Sequence, residues 1–384
     1  MKSFTQIRLL ALAVTIGCGQ NAYADGPIKI GLVMPMTGAL ASNGKQVVAG
    51  AKLYMSEHGD MVGGKKVEIL LRDDGTLPDA SKRIAQELIV NDKVDIIGAG
   101  ITPGAFAMAP LVTQSKTPTV VMLSGSSNVI GKSPYMVHTS FKVTDSATGV
   151  ATWALAHGTK TVVSLVSDFT PGIEAEDAFK AAFVVGGGRV VEALRVPLQG
   201  PDFSPFLQRV RDSSPQAVFV FLPAGQGGVF ARQFAERGLD KTGIQLIGPG
   251  DLTDDDVLPT MGDTVIGAVT AHFYSAAHPS AVNHAFVAAF EKANGYRPNF
   301  MAVSGYDGMQ LIYRALEKTN GVATSDVLMA AMKGQSWESP RGPMSIDPDT
   351  REMINHIYMR KVEKVGGSLY NVEFETLDQP RHVQ

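Results

Sequence analysis

The 384-residue sequence predicts an α/β fold with mostly parallel sheets, and three of its features indicate this class. From residue 28, short apolar runs alternate with stretches of helical periodicity, as they do in βαβ units. The runs at 94–104 and 119–128 stay apolar until they stop at clusters of Gly, Ser, Thr or Asn, which is typical of strands buried on both faces. The chain is also longer than one hydrophobic core usually serves, so we expect two lobes.

The start of the chain has the pattern of a cleavable secretory signal, which we assign to residues 1–24. Lys2 and Arg8 precede a short apolar segment, and Ala22-Tyr23-Ala24 provides a small-x-small cleavage site. The apolar segment is too short to span a bilayer as a permanent helix. We therefore expect a periplasmic protein, and the alternative is a lipoprotein acylated at Cys18.

Composition and motifs exclude several classes of protein. Cys18 is the only cysteine, so the mature chain would hold neither a disulfide nor a thiolate-bound metal. The net charge of −3 without a basic run argues against nucleic acid and anionic membranes as partners. The sequence contains no His-Glu-x-x-His, Gly-x-Ser-x-Gly or phosphate-binding Gly-Lys-Ser/Thr pattern. We therefore predict a binding protein with no cofactor and no metal, and not an enzyme.

The order of the predicted elements divides the chain. The first strands are 28–34, 67–72 and the two apolar runs above, with helices between them and over 104–115. An extended stretch at 135–143 leads into a helix at 145–157, after which the alternation starts afresh. The later strands are 161–167, 190–196, 217–222, 244–247 and 265–273, and the helices are 171–183, 203–212 and 227–237. Helices at 280–293, 299–319 and 325–333 then follow with no strand between them, so we expect a return to the first sheet. Alternating segments at 344–346 and 355–363 predict antiparallel strands.

The two apolar runs end in loops that suit a small anion. Thr102, Ser124, Ser126 and Ser127 offer hydroxyl donors, and the helix that follows the first loop offers free N–H groups at its start. Loops at the carboxyl ends of neighbouring parallel strands are where open α/β sheets bind ligands. An ordinary pair of strand-to-helix turns is the alternative, and these residues alone leave both open.

Three blocks of sequence resemble the branched-chain amino acid (leucine/isoleucine/valine) type of solute-binding protein that serves ABC importers. The blocks are 28–44, 202–221 and 305–316, which occur in the right order behind a signal sequence. The resemblance implies a type I periplasmic binding protein fold, with two Rossmann-like lobes, three hinge crossovers and a ligand cleft between the lobes. It places lobe 1 at 25–142 and 274–340 and lobe 2 at 143–273 and 341–384, with crossovers near 140–145, 271–275 and 339–343.

The resemblance also implies roles for individual residues. Thr102, Gly125 and Ser127 match the family positions that hold the ligand carboxylate. Asn43 or its neighbour Ser42 matches the first-loop residue that covers the ligand, and 169–171, with Phe169 and Pro171 at its ends, matches a contact from the second lobe. A core aromatic residue is the alternative interpretation of Phe169.

The sequence departs from the amino acid binders at an informative position. Those proteins carry an acidic residue after a Gly-Pro pair to bind the ligand ammonium, whereas Gly250 follows Gly248-Pro249 here. Asp251 could substitute only if the loop were displaced. The usual first-loop tyrosine is also absent, and Ile101 stands where a disulfide cysteine can occur. A buried ammonium without a counter-charge costs several kcal/mol, so we favour an aromatic acid or a keto acid as ligand.

The predicted function is therefore an extracytoplasmic receptor of an ABC importer, with the permease subunits in the inner membrane as partners and a monomeric state. Two alternatives remain at this point. One is a binder of branched-chain or other amino acids, and the other is a ligand sensor of the same fold that presents to a membrane receptor.

Overall fold

Two sheets organise the protein, in a computed structural model that describes residues 26–377. The first sheet has six strands in the order β2-β3-β1-β4-β5-β6, and β1 pairs in parallel with both β3 and β4. Its buried positions are filled mainly by Ile, Val, Leu and Met, as expected for strands covered on both faces. The strands are β1 (Ile28–Met34), β2 (Met61–Val62), β3 (Lys65–Asp73), β4 (Ile96–Ala99), β5 (Thr119–Val121) and β6 (Met136–His138).

Helices from two distant parts of the chain cover this first sheet. The early helices are α1 (Ala41–His58), α2 (Pro78–Val90) and α3 (Thr102–Ser115), and the later ones are α8 (Ala281–Asn294), α9 (Phe300–Lys318) and α10 (Ser325–Met332). Gly50 and Gly305 let α1 and α9 pack closely, because a Cβ at Gly50 would lie 1.9 Å from the Ala302 carbonyl oxygen and one at Gly305 2.1 Å from that of Val47. The later helices therefore pack against an early one, and the assignment of 274–340 to lobe 1 stays a prediction.

The second sheet has seven strands in the order β16-β15-β11-β10-β9-β7-β8. Strands β7 to β11 are parallel, and β15 joins β11 in the antiparallel sense. The strands are β7 (Thr161–Ser167), β8 (Arg189–Val196), β9 (Ala217–Phe221), β10 (Gln245–Pro249), β11 (Val269–His272), β15 (Ile357–Val365) and β16 (Ser368–Leu377). The helices of this lobe are α4 (Val143–Ala156), α5 (Thr170–Val185), α6 (Ser204–Ser213) and α7 (Gly227–Glu236).

Two strand predictions were wrong in extent. The strand predicted at 265–273 is shorter, because Asp263–Val265 forms a single 3-10 turn and β11 begins only at Val269. The strand predicted at 355–363 is two strands, since β14 (Met353–Asn355) and β15 belong to different sheets. Apolar alternation shows that a segment is half-buried in a sheet, but it does not show which sheet.

A small third sheet lies against the first lobe. It contains β12 (Ser336–Ser339), β13 (Gly342–Ile346) and β14 in that order. The Arg351 guanidinium donates to the Pro134 carbonyl oxygen at 2.9 Å, and the His138 N–H donates to the Arg351 carbonyl oxygen at 3.1 Å. The sequence prediction placed 341–384 in lobe 2, whereas the bonds of this sheet run to lobe 1, and the exact lobe boundaries stay a prediction.

One buried arginine connects the segments that pass between the lobes. Arg341 donates to the carbonyl oxygens of Ser140 at 3.0 Å and Thr139 at 2.9 Å, which lie just before α4. Its guanidinium carbon lies 4.4 Å from the ring centre of Phe273, which follows β11. Its Nε donates to Asp307 Oδ2 of α9 at 2.8 Å. We call this group, centred on Arg341 and Asp307, the hinge cluster.

Candidate functional site

A small cavity lies between the two lobes, at the carboxyl ends of strands from both sheets. This is the place where open α/β sheets bind ligands. The first lobe contributes Leu40, Asn43, Ile101, Thr102, Leu123, Gly125 and Met301, the second contributes Phe169, Pro171, Phe221, Pro223 and Asp251, and Phe141 comes from the connection between them.

The first-lobe wall carries groups that can hold a carboxylate. Thr102 is the first residue of α3 and is 2% exposed, with its hydroxyl oxygen 2.7 Å from that of Ser124. When Ser124 donates in this pair, the Thr102 proton is free to point at a ligand oxygen. The N–H groups at the start of α3 add the partial positive charge of a helix N-terminus. Asn43 lines the same cavity, and its Oδ1 has no hydrogen-bond partner among residues 26–377.

The second-lobe wall carries one buried acid. Asp251 lies in the 3-10 turn Gly250–Thr253 that follows β10 and is 2% exposed. Burial raises the pKa of its carboxyl group to about 7, against smaller lowerings by a hydrogen bond from its own backbone N–H and by the charge of Arg360. Its Oδ2 has no hydrogen-bond partner within the described part of the chain. The wall therefore presents to the cavity a carboxyl group with unused bonding capacity.

A histidine lies behind this acid without neutralising it. His272 Nε2 is 3.8 Å from Asp251 Oδ2, which is too long for a hydrogen bond. The histidine is fully buried, and burial, together with the charges of Arg360 and Arg341, holds its pKa well below the usual value. Since the ring is neutral, we do not regard the pair as a salt bridge.

The rest of the cavity lining is mostly apolar and includes three aromatic rings. The rings of Phe169 and Phe221 are stacked, with centres 6.0 Å apart and planes at 25°. Phe141 packs edge-on against Phe300 at 5.2 Å, which fixes its ring at the cavity wall. A ligand that combines an aromatic ring with polar groups matches this lining.

The space that an acidic side chain would need at position 250 is filled. A Cβ on Gly250 would lie 2.2 Å from Nη2 of Arg360 and 2.5 Å from Cγ of His272. Arg360 is 1% exposed and is held by the carbonyl oxygens of Tyr274 and Gly250 and by the Thr270 hydroxyl. An acidic side chain at position 250 therefore cannot be accommodated without moving Arg360 and His272, which are both buried.

Six of the ten predicted site residues line the cavity: Asn43, Thr102, Gly125, Phe169, Pro171 and Asp251. Gly250 is not part of the lining and instead allows Arg360 and His272 to approach. Ser42 is exposed, and its hydroxyl oxygen lies 3.4 Å from Asp256 Oδ2 of the second lobe. The part that each residue takes in binding stays a prediction.

Ser126 and Ser127 meet the second lobe. The Ser126 hydroxyl donates to Glu174 Oε1 at 2.7 Å, and the Ser127 N–H donates to Oε2 at 3.1 Å. Glu174 belongs to α5, so its carboxylate occupies donors that the sequence assigned to the ligand and joins the lobes beside the cavity. Gln46 Nε2 donates to Asp256 Oδ2 at 3.1 Å, which is a further bond between the lobes.

Sequence reasoning missed most of the apolar lining. Leu123 lies inside a loop that was singled out, but only its polar neighbours were selected. Phe221 and Pro223 lie at the end of a predicted strand, so the rule about carboxyl ends of strands could have found them. Phe141 and Met301 reach the cavity through tertiary packing alone, and no local signal marks them.

Comparison with known proteins identifies the family of this chain. A family model described as periplasmic binding protein matches residues 27–367. The chain belongs to the periplasmic binding protein family. This periplasmic binding protein is similar to the Leu/Ile/Val-binding protein homolog 6 of Brucella melitensis, with 43% identity over 380 residues that cover 97% of each chain.

Solved structures resemble this periplasmic binding protein over nearly its whole length. A solute-binding protein of an ABC transporter from Rhodopseudomonas palustris BisB5, in complex with 3,4-dihydroxybenzoic acid, is 57% identical with a TM-score of 0.91, covering 93% of this chain and 99% of that one. A solute-binding protein from R. palustris HaA2, in complex with p-hydroxybenzoic acid, is 41% identical with a TM-score of 0.88, covering 92% and 97%. A leucine-binding protein from Thermotoga maritima, at 22% identity and a TM-score of 0.79 over 91% and 99%, shares the fold.

These matches confirm the predicted family and the type I periplasmic binding protein fold. The protein is a solute-binding receptor of the ABC-transporter class, and its family is extracytoplasmic. The predicted signal peptide lies outside the described residues. Among residues 26–377, no helix is long and apolar enough to cross a membrane, and no group of His, Cys, Asp or Glu is placed to hold a metal ion.

Proposed function

We propose that this periplasmic binding protein captures a small aromatic carboxylate and delivers it to an ABC importer. The observation that carries the proposal is the filled space at Gly250, where Arg360 and His272 stand in place of the acid that would bind an ammonium group. An α-amino acid would have to bury its charge against this wall, which costs several kcal/mol without a counter-charge.

The rest of the cavity supports the same class of ligand. Thr102 and the start of α3 can bind a carboxylate, and charge-assisted bonds of this kind are about twice as strong as neutral ones. The aromatic and aliphatic lining then encloses a ring. Similar solute-binding proteins were solved with 3,4-dihydroxybenzoic acid and p-hydroxybenzoic acid, both of which are aromatic carboxylates.

An amino acid binder is the second candidate, because Asp251 lines the cavity and similar proteins are named Leu/Ile/Val-binding. The raised pKa of Asp251 weighs against it, since burial already disfavours the ionised form that an ammonium requires. A branched keto acid could place its carboxylate at Thr102 and the start of α3, but its aliphatic chain would pack less well than a ring against Phe169 and Phe221.

The proposal includes the setting of the protein. A signal peptide at 1–24 is removed after Ala24, the mature chain is a periplasmic monomer without enzymatic activity, and it docks on the permease subunits of the importer. Intact-mass measurement of protein from a periplasmic extract checks the first step. We expect a chain that starts at Asp25, and a diacylglyceryl mass on a chain starting at Cys18 contradicts it.

Calorimetric titration with a matched panel tests the ligand class. We expect tight binding of 4-hydroxybenzoate and 3,4-dihydroxybenzoate, weaker binding of 2-oxoisocaproate, and little binding of leucine or phenylalanine. Tight binding confined to the two amino acids, and lost in Asp251→Ala, would show that the proposed class is wrong.

A variant pair tests the carboxylate wall. Thr102→Val should lower the affinity for aromatic acids about ten- to hundredfold, because a hydrogen bond to a charged group contributes about 1.5–3 kcal/mol. The control is Thr113→Val in the same helix, whose hydroxyl bonds to Ala109 and Ser133 away from the cavity. Equal affinities in the two variants would mean that the carboxylate binds elsewhere.

A further inference from the structure

We propose that Asp251 forms a second polar subsite of the cleft, which binds a ring hydroxyl of the ligand at the end opposite its carboxylate. This inference rests on the proposed function and specifies the substrate class further, to hydroxylated aromatic acids. It assigns to Asp251 the role of a specificity-determining residue and not that of an ammonium clamp.

The first support is the unused bonding capacity of a buried group. Asp251 is 2% exposed, lines the cavity, and has an Oδ2 without a partner among residues 26–377. Buried polar atoms in folded proteins almost always have a hydrogen-bond partner, and leaving one unsatisfied costs about 1–3 kcal/mol. A ligand that supplies the missing hydrogen bond should therefore bind with higher affinity than one that covers the oxygen with an apolar atom.

The second support comes from the charged and titratable groups that face Asp251. His272 lies 3.8 Å away on β11 and is neutral, with both ring nitrogens also unpartnered among the described residues. Arg360 of β15 is a cation whose charge acts on Asp251, but it donates to two carbonyl oxygens and the Thr270 hydroxyl. No described neighbour therefore supplies the bond that Oδ2 lacks, and the residue that carries this oxygen lines the cavity.

The chemistry of the missing partner favours a hydroxyl over an ammonium. A phenolic hydroxyl can donate to the carboxylate and can accept from the protonated carboxyl group, so it pairs with Asp251 in either form. An ammonium only donates and needs the ionised form, which burial disfavours here. A hydroxyl thus satisfies the acid without adding a buried charge.

The position of the subsite gives the ligand a direction. Thr102 belongs to the first lobe and Asp251 to the second, and both line the cavity together with its apolar residues. A ligand that carries a carboxylate at one end and a hydroxyl at the other bonds to both lobes. The hydroxyl should therefore favour the closed form as well as add affinity.

The test compares 4-hydroxybenzoate with 4-methylbenzoate, which fills the same space without the hydrogen bond, and includes benzoate as the smaller reference. Titration of the unaltered protein should show at least about a tenfold preference for the hydroxyl ligand over both others. In Asp251→Leu the preference over 4-methylbenzoate should fall to within about threefold, because the hydroxyl then faces an apolar wall. The control is Asp168→Asn, which removes an exposed carboxylate close to Phe169 and should leave the preference unchanged.

Asp251→Asn provides a second route if the leucine variant does not fold. It keeps the shape and an oxygen acceptor but removes the charge, so the preference should decrease at least about threefold. An unchanged preference in the Asp251 variants, or equal affinity of the unaltered protein for 4-hydroxybenzoate and 4-methylbenzoate, overturns the inference. In that case all three benzoates still bind and the proposed function stands, whereas failure of the proposed function leaves all three unbound.

Discussion

Two buried carboxylates in this protein have opposite surroundings. In the hinge cluster, Asp307 accepts hydrogen bonds from Trp337 at 3.0 Å, Ser339 at 2.9 Å and Arg341 at 2.8 Å. In the cleft, Asp251 is almost as buried but has an Oδ2 without a partner among residues 26–377. Both groups pay the desolvation cost of burial, and only the first is compensated by the protein itself.

The difference shows how a buried acid can serve either the fold or the site. A fully bonded ion pair is held in one arrangement and destabilises the fold when one partner is removed. An acid with an unused oxygen destabilises the empty protein and can regain that free energy from a ligand. The three predictions below test this contrast, from the largest expected effect to the smallest.

The largest effect should follow from breaking the hinge cluster. Arg341→Met leaves Asp307 buried without its cation, and breaking such a pair costs about 3–5 kcal/mol of unfolding free energy. Urea titration measures it, with Arg83→Met as the control, because Arg83 pairs with Glu87 on the exposed surface and should matter little. The double variant Arg341→Met with Asp307→Leu should recover part of the loss, since no buried charge remains. Equal stability of Arg341→Met and Arg83→Met would contradict the role given to the cluster.

The next effect concerns the pH dependence of the empty protein. The pKa of Asp251 is raised from 3.8 to about 7 in the folded state, so between these values the folded protein holds a proton that the unfolded chain has released. The protonated Asp251 therefore adds to the free energy of unfolding fully at pH values below the unfolded pKa, and this stabilisation is lost as the pH rises through about 7.

Comparison with Asp251→Asn isolates this contribution. Relative to that variant, the unaltered protein should lose stability between about pH 4 and pH 7, by at most about 4 kcal/mol. Other buried acids with raised pKa values, such as Asp254 and Asp255, are present in both proteins and cancel in the difference. Urea titrations in buffers without carboxylates measure this difference in unfolding free energy at each pH. If the unfolding free energies of the two proteins changed in parallel with pH, Asp251 would be ionised in the folded protein at little cost.

The smallest effect should follow from crowding the cleft wall. Gly250→Ala places a Cβ against Arg360 and His272, and overpacking of this kind costs about 1–3 kcal/mol. The control is Gly228→Ala in α7, where an added Cβ meets no atom within 4 Å and should be neutral or slightly stabilising. A Gly250→Ala variant as stable as the control would show that Arg360 and His272 shift at little cost, so that an acidic side chain could also be accommodated there.

Much of the fold could be predicted from the sequence because local patterns determine it. The apolar runs that end at Gly100 and Leu123 marked the central strands, and the strand-less helices after Tyr274 marked the return to the first sheet. The sheet membership of β14 could not be predicted, since it depends on a contact between Arg351 and the distant Pro134.

The polar ends of the site were more accessible to prediction than its walls. Thr102 and Gly125 were predicted because they follow β4 and β5, and such positions have a local signal. The hydroxyl of Ser126 has the same signal, but Glu174 from the other lobe takes its hydrogen bond, which only the closed tertiary structure reveals. Met301 and Phe141 are ordinary apolar residues whose place in the cavity is set by the packing of whole helices.

The hinge cluster also bears on how the protein responds to ionic strength. Arg341 and Asp307 have no exposed surface, and dissolved ions screen charges in water far more than buried pairs. Rising salt should therefore weaken attraction between exposed lobe faces and a membrane partner while leaving the hinge almost unchanged. Salt would then alter how often the loaded receptor meets its transporter but hardly how it bends.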